Sequence, residues 1–161
     1  MTVRNILADL VRNPESMARV QAEIRKKRAA TPASETKAAS YDEVLDHVYF
    51  RACVRESLRL NGAPALFPRT VKDGGIYLGG QYVPEGTTVA ASPWVTMRDV
   101  RLYGVDATEY RPWRWLEASL DQVKEWERYD FQFGYGNRAC IGKHYAIVQT
   151  YKITYEVGSY P

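Results

Sequence analysis

The fold of this 161-residue chain is decided by the stretch Phe133-Gly134-Tyr135-Gly136-Asn137-Arg138-Ala139-Cys140-Ile141-Gly142. The stretch surrounds one cysteine with glycines and an arginine. A thiolate that binds a metal must stay deprotonated, which an electropositive pocket and a helix N-terminus both favour. Gly136 permits backbone angles that other residues are denied, and Gly142 removes a side chain where the next helix must pass close to a ligand. We therefore interpret Cys140 as a metal-binding thiolate.

The order of these residues resembles the cysteine loop of the cytochrome P450 haem-thiolate monooxygenases. That loop reads Phe, two residues, Gly, one residue, Arg, one residue, Cys, one residue, Gly, and every fixed position is present here. The resemblance implies that Cys140 is the axial ligand of haem iron, that Phe133 lies under the haem, and that Arg138 pairs with a haem propionate. A lone cysteine in a glycine-rich loop is more often a buried structural thiol, but this ordered set favours a ligand.

A second part of the resemblance is a charged pair upstream of the loop. Glu56 and Arg59 are three residues apart, so they share one face of a helix predicted over residues 46–60. The family completes this pair with an arginine from a later loop, which residues 110–115 resemble and which nominates Arg114. The resemblance implies a buried charge network of these three side chains that fixes the cysteine loop.

The sequence departs from the family pattern beside Arg114. Trp113 stands where the family usually has a carboxylate, which removes a possible partner for a basic neighbour. Trp115 keeps the aromatic character that the family has at its position. We interpret both tryptophans as packing residues.

The remaining pattern predicts a mainly α fold with a small antiparallel sheet, which the resemblance makes a partial cytochrome P450 fold in a single domain, residues 1–161. Helical periodicity and proline positions predict helices over residues 3–11 and 14–28, and another helix at or just after Cys140. Gly79 and Gly80, between short apolar runs, predict a β-hairpin, and residues 87–92 predict a further strand. The other segments are interpreted as a mobile connector (29–40), a connection to the sheet (63–70) and an irregular meander (99–128).

The resemblance implies one further contact with the cofactor. In the family, the segment between the charged helix and the sheet passes beside the substrate and contributes an arginine to a haem propionate. Arg69, next to Pro68, fits that role.

Composition excludes some functions. A net charge of +3 and a pI of about 8.8 are too mild for a nucleic-acid-binding protein, which usually concentrates basic residues in one stripe. No apolar run approaches the ~20 residues needed to cross a bilayer, so we expect no membrane anchor in this chain. We expect an intracellular protein; the resemblance places full-length relatives on the endoplasmic reticulum.

The resemblance covers only the proximal, C-terminal portion of the family fold. The acid and threonine pair of the family's long central helix is not present. The implied function is insertion of one oxygen atom from O₂ into a small organic substrate, with a flavin reductase that uses NADPH as electron donor. The style of the sequence is most similar to filamentous-fungal members of specialised metabolism, which implies a secondary metabolite as substrate.

Two alternatives remain open. One is a truncated, non-catalytic relative that binds haem weakly or not at all. The other is a small structural zinc domain, because Cys140 and His144 are four residues apart and His47 precedes Cys53 by six, although neither is a common zinc spacing.

Overall fold

The computed structural model describes residues 2–29, 38–62 and 66–159. Most of the predicted connector, residues 30–37, lies outside the described residues, and so do residues 63–65 of the predicted link to the sheet. The described part is mainly helical with two small antiparallel sheets, in agreement with the predicted fold class.

Four longer helices form the first core of the protein. They are α1 (Thr2–Arg12), α2 (Pro14–Arg28), α4 (Val48–Asn61) and α9 (Lys143–Gly158), and a short helix, α3 (Tyr41–Leu45), precedes α4. Their inward faces bury one hydrophobic cluster, which includes Leu10, Val20, Phe50 and Tyr155. The predictions of α1, α2 and a helix after the cysteine are confirmed, since each apolar stripe recurs at helical spacing and faces this core.

The charged helix begins later than its sequence predicts. Residues 46 and 47 separate α3 from α4, and α3 begins at a capping box in which Ser40 accepts from the Glu43 amide while the Glu43 carboxylate accepts from the Ser40 amide. Helix α4 keeps Glu56 and Arg59 on one buried face, as predicted.

The strands form two separate two-stranded ladders. The predicted hairpin is confirmed: β2 (Ile76–Leu78) pairs with β3 (Gln81–Val83), and Gly79 and Gly80 both have positive φ, as a primed turn requires. The predicted strand in residues 87–92 is β4 (Thr88–Ala91), and its partner is β1 (Phe67–Thr70). The interpretation of residues 63–70 as a connector is therefore wrong for β1.

Four helices build a second, smaller core between the sheets and the cysteine loop. They are α5 (Pro93–Thr96), α6 (Val100–Tyr103), α7 (Arg114–Glu117) and α8 (Leu120–Tyr129). Their buried centre contains Met97, Tyr103 and Trp126, with the rings of Tyr103 and Trp126 stacked at 5.2 Å. The prediction that residues 99–128 are irregular is wrong where α6, α7 and α8 form.

Candidate cofactor site

The cysteine loop is shaped by its own backbone. The Cys140 amide donates to the Phe133 carbonyl at 2.6 Å, which closes the loop on itself. Gly136 has φ 58°, in the left-handed region that glycine tolerates. Gly134 has φ 77°, and a Cβ there would lie 2.5 Å from the carbonyl oxygen of Arg138. The sequence analysis did not predict a role for Gly134, although a glycine two residues before Gly136 in the same loop could have indicated a second tight turn.

The Cys140 side chain faces outward next to the start of a long helix. The thiol is exposed, and α9 begins three residues later with the Lys143 amide donating to the Cys140 carbonyl at 3.2 Å. The positive end of the α9 dipole therefore lies beside the cysteine. Gly142 is the N-cap of α9, and a Cβ there would be 3.9 Å from the Cys140 sulfur.

The second cysteine is in a different environment. Cys53 lies on the buried face of α4, and desolvation raises the pKa of its thiol to about 12. A thiol in such a site stays protonated and inert. Of the two cysteines, only Cys140 presents an accessible sulfur.

Two predicted cationic residues lie near the loop surface. Arg138 is exposed, and within the described part of the chain its side chain has no hydrogen-bond or ion-pair partner. Arg69 on β1 lines a cavity of about 290 Å³ together with Tyr135 of the loop. Among the residues that the structure describes, its guanidinium donates only to the neighbouring Pro68 carbonyl, at 2.8 Å. The fold thus brings Arg69 to the cysteine loop across 66 residues of sequence.

Phe133 lies on the inner side of the loop. Its ring is half-buried, and the Lys143 ammonium is 5.8 Å from the ring centroid. The ring also lines a second cavity, between the loop and α4.

The predicted charge network converges on the fully buried carboxylate of Glu56. One oxygen, Oε1, accepts from Arg59 at 2.8 Å, from the Arg111 amide at 2.9 Å and from Arg114 at 2.9 Å. The other, Oε2, accepts from Arg59 and from the indole of Trp115, both at 2.9 Å. Five donors therefore replace the hydration that the carboxylate loses on burial.

The two arginines use most of their remaining donors on backbone carbonyls of the segment that precedes α8. Arg59 donates to Met97 at 2.6 Å and to Ala107 at 2.5 Å, and Arg114 donates to Tyr103 at 2.8 Å. Met97 and Ala107 lie in turns, and Tyr103 is the last residue of the short helix α6. The network consequently fixes the path of residues 97–115 around α4.

Trp115 has a role that the sequence did not predict. Its indole bonds to Glu56, and the guanidinium of Arg55 stacks on its ring at 4.3 Å. Trp113 does pack as predicted, with its ring 5.1 Å from Tyr49 and beneath the Arg19 guanidinium. The interpretation of Trp115 as a packing residue is therefore incomplete, since it is also a member of the network.

Asp106 supplies the carboxylate that the family pattern has at the position of Trp113. Its Oδ1 lies 3.2 Å from Arg114, and its Oδ2 lies 3.0 Å from Arg111. Burial opposes ionisation of Asp106, but the hydrogen bonds and charges of Arg111 and Arg114 outweigh it, so the pKa of Asp106 is lowered. Arg114 thus contacts two carboxylates.

The network and the loop are separate hydrogen-bonded units. Among the described residues, no hydrogen bond joins Glu56, Arg59 or Arg114 to residues 133–142. The closer link is steric: a Cβ on Gly62, at the end of α4, would lie 2.3 Å from the Gln132 side chain, which immediately precedes the loop. Any effect of the network on the cysteine is therefore transmitted through packing.

These residues fit a haem as the bound group. The donor set contains one exposed thiol, and the flanking Tyr135 and Ile141 are large exposed apolar side chains that a flat apolar macrocycle would cover. Arg69 and Arg138 supply two cations suited to propionate carboxylates. A Cβ placed on Gly136 would meet no atom within 4 Å, so the loop surface is open there.

The described residues were also compared with the requirements of a metal cluster and of a membrane-spanning helix. Within residues 2–29, 38–62 and 66–159, no three His, Cys, Asp or Glu side chains converge as metal ligands. His47 packs on Tyr155 and bonds to the Glu43 carbonyl, while His144 is exposed. None of the described helices has both the length and the apolar character needed to span a bilayer.

The protein is a mainly helical fold with two small antiparallel sheets that carries its glycine-rich cysteine loop directly before α9. The family model described as Cytochrome P450 matches residues 1–155. The chain therefore belongs to the cytochrome P450 family, as the cysteine loop predicted, and the cofactor of that family is haem.

Relatives from filamentous fungi are similar over most of the chain. Cytochrome P450 monooxygenase ustC of Aspergillus flavus is 44% identical over 108 residues, which are 66% of this chain and 27% of the relative. Cytochrome P450 monooxygenase mpaDE of Penicillium roqueforti is 37% identical over 94% of this chain and 18% of the relative. Cytochrome P450 monooxygenase cicH of Emericella nidulans is 35% identical over 92% of this chain and 31% of the relative. The chain thus spans less than a third of the length of these relatives.

Proposed function

We propose that this chain provides the iron-holding part of a haem-thiolate monooxygenase, in which the Cys140 thiolate would bind the haem iron. The observation that carries the proposal is the outward-facing Cys140 thiol at the start of α9, on a loop whose backbone is already closed.

The neighbouring residues have assigned roles in this proposal. Arg138 and Arg69 would pair with the carboxylates of the haem, and Phe133 would contact it. Gly136 and Gly142 keep the loop and the start of α9 free of side chains. Glu56, Arg59 and Arg114 position the polypeptide that supports the loop, through packing.

The haem, when bound, supplies the activation of O₂ and the transfer of one oxygen atom to an organic substrate. We propose that the substrate is a small secondary metabolite, that a flavin reductase using NADPH delivers the electrons, and that the full-length enzyme works at the endoplasmic reticulum. Support comes from family membership and from the relatives, which are fungal cytochrome P450 monooxygenases by name.

The test is reconstitution of the purified 161-residue chain with haem, followed by the spectrum of the reduced, carbon-monoxide-bound form. We expect a thiolate-type Soret band, which Cys140→Ser abolishes because a serine hydroxyl does not replace the thiolate. The matched control is Cys53→Ala, which removes the other cysteine and should keep the band.

Each outcome of this test has a defined meaning. A thiolate band that survives Cys140→Ser would show that another group binds the iron. Absence of the band in the unmodified chain would refute ligation by this segment. A band without NADPH-dependent substrate oxidation in the presence of a reductase would favour the non-catalytic alternative.

A further inference from the structure

The cavity of about 290 Å³ that Arg69 lines is built on one face of the β1–β4 ladder. Phe67 and Arg69 are two residues apart on β1, so their side chains share one face of the strand. Ala91, the cross-strand partner of Phe67, also lines the cavity. The opposite wall comes from the end of α8 and from Phe131, whose ring meets Phe67 edge to face with the centroids 5.7 Å apart. This ring contact brings the end of α8 to the strand that carries Arg69.

The charged groups that line this cavity are both cations. They are Arg69 and Arg128, and the lining contains no carboxylate among the residues that the structure describes. Arg128 lies exposed in the last turn of α8, and within the same described residues its side chain has neither a hydrogen bond nor an ion pair. Two guanidinium groups therefore border one small space without a counter-charge.

The size and the chemistry of the cavity suit a carboxylate arm of a larger ligand. Its volume lies at the lower end of the range of about 300 to 1,000 Å³ that is usual for whole small molecules. Arginine recognises carboxylates through two parallel N–H donors, and the phenols of Tyr129 and Tyr135, which also line the cavity, are further possible donors. Because Tyr135 belongs to the cysteine loop, the cavity adjoins the candidate cofactor site.

We propose that Arg128 is a further cofactor-binding residue, which pairs together with Arg69 with one carboxylate of the haem. The inference rests on the proposed function, since haem is the carboxylate-bearing cofactor of the family to which the chain belongs. Arg138 is then left for the second carboxylate. Arg128 stands outside the cysteine-loop pattern, five residues before Phe133, so that pattern does not indicate it.

The test uses iron-free protoporphyrin IX as the probe and its dimethyl ester as the uncharged counterpart, each titrated into the purified chain and followed by porphyrin fluorescence. Without iron the probe forms no bond to the Cys140 sulfur, so the comparison of the two probes reports on the carboxylates. Raising the salt concentration should weaken binding of the diacid and not that of the diester, since exposed charge pairs are screened.

A charge-neutralising variant tests Arg128 directly. Arg128→Gln should weaken binding of the diacid by about two- to fivefold, as expected for a partly exposed ion pair, and should leave binding of the diester unchanged. Lys124→Gln is the matched control, because Lys124 is an exposed cation one turn earlier on α8 that does not line the cavity, and it should leave both affinities unchanged.

A double variant tests whether the two arginines share one carboxylate. The losses from Arg69→Gln and Arg128→Gln should not add when the two changes are combined, because residues that bind the same group are coupled. The losses from Arg128→Gln and Arg138→Gln should add, because these two residues pair with different carboxylates.

Four results would overturn the inference: no saturable binding of the diacid, an Arg128→Gln chain that binds it as tightly as the Lys124→Gln chain, equal losses for the diacid and the diester, or additive losses from Arg69→Gln and Arg128→Gln. The probe contains no iron, so these results are independent of the thiolate band. Failure of this inference is therefore distinguishable from failure of the haem-iron proposal.

Discussion

Replacing Glu56 by Gln should be severely destabilising, although the two side chains have nearly the same shape. Glu56 is fully buried and accepts five hydrogen bonds from four residues. A glutamine amide retains one acceptor oxygen. If the glutamine oxygen takes the place of Oε1 and accepts from its three donors, the glutamine NH₂ group takes the place of Oε2. It then faces Arg59 Nε and Trp115 Nε1, which are both donors. The opposite orientation places the NH₂ group against three donors.

The magnitude follows from the charges that remain. Arg59 is 1% exposed and Arg114 is 4% exposed, so both guanidinium groups lose their principal counter-charge inside the protein. Removing one partner of a buried ion pair typically lowers the free energy of unfolding by about 3–5 kcal/mol. With a urea slope of about 2 kcal/mol/M, the midpoint of unfolding should fall by about 1.5–2.5 M.

The assay is urea unfolding followed by circular dichroism, with Glu127→Gln as the matched control. Glu127 also pairs with an arginine, but its side chain is 60% exposed, so its replacement should lower the free energy of unfolding by less than about 1 kcal/mol. Trp115→Phe tests the contribution of the indole to the network, because it removes one of the two donors to Oε2 of Glu56. Its loss in free energy of unfolding should lie between those of Glu56→Gln and Glu127→Gln. Equal effects of Glu56→Gln and Glu127→Gln would refute the argument.

Two further predictions concern the loop and acid stability. Gly134→Ala should lower the free energy of unfolding by more than Gly136→Ala: both replacements meet a positive φ, but only a Cβ at Gly134 would lie 2.5 Å from a carbonyl oxygen. Urea unfolding of the two variants measures this, and equal losses would contradict it. The ionised Asp106 carboxylate has a lowered pKa, so the stability it contributes is present above its ordinary value of 3.8 and is lost as the pH falls through the lowered value. Unfolding measured between pH 5 and about pH 2 should therefore show a shallower acid-side loss in Asp106→Asn, and an unchanged slope would show that the carboxylate gains nothing from its arginines.

Local patterns predicted what depends on local physics. The hairpin follows from Gly79 and Gly80, whose positive φ values a primed turn needs, and α2 follows from Pro14 and an apolar stripe. The pairing of β1 with β4 does not follow from such patterns. It joins residues about 20 positions apart through a short strand that contains Pro68, and the intervening hairpin forms its own ladder.

Two missed helices did carry a signal at their N-termini. Ser40 and Glu43 form a capping box before α3, and Ser119 accepts from the Gln122 amide at the start of α8. Helix α8 also carries a helical period, because Leu120, Val123 and Trp126 follow one another at intervals of three residues.

In the candidate site, too, the features that depend on neighbouring residues could be predicted from the sequence, and those that join distant residues could not. The loop that surrounds Cys140 could be read from sequence order, because its shape depends on glycines and backbone bonds within ten residues. The indole of Trp115 could not be assigned to Glu56 from sequence, since that contact joins positions 59 residues apart. Asp106 was missed for the same reason: its partners approach it only after α6 and α7 have folded against α4.

The loop and the network therefore make separable contributions to cofactor binding. Among the described residues the loop and the network share no hydrogen bond. They meet only through packing, around Gln132 and in the cavity between the loop and α4 that Arg59 and Phe133 both line. Loss of the Glu56 charge should lower global stability while leaving the backbone of the loop closed, because the bond from the Cys140 amide to the Phe133 carbonyl is untouched. Gly134→Ala should lower the free energy of unfolding less than Glu56→Gln does, but it should change the conformation of the loop and therefore the direction of the Cys140 thiol. Haem titration of both variants, at a temperature where each remains folded, should show the larger loss of affinity for Gly134→Ala. A larger loss for Glu56→Gln would show that packing couples the network to the iron ligand more strongly than the loop's own backbone does.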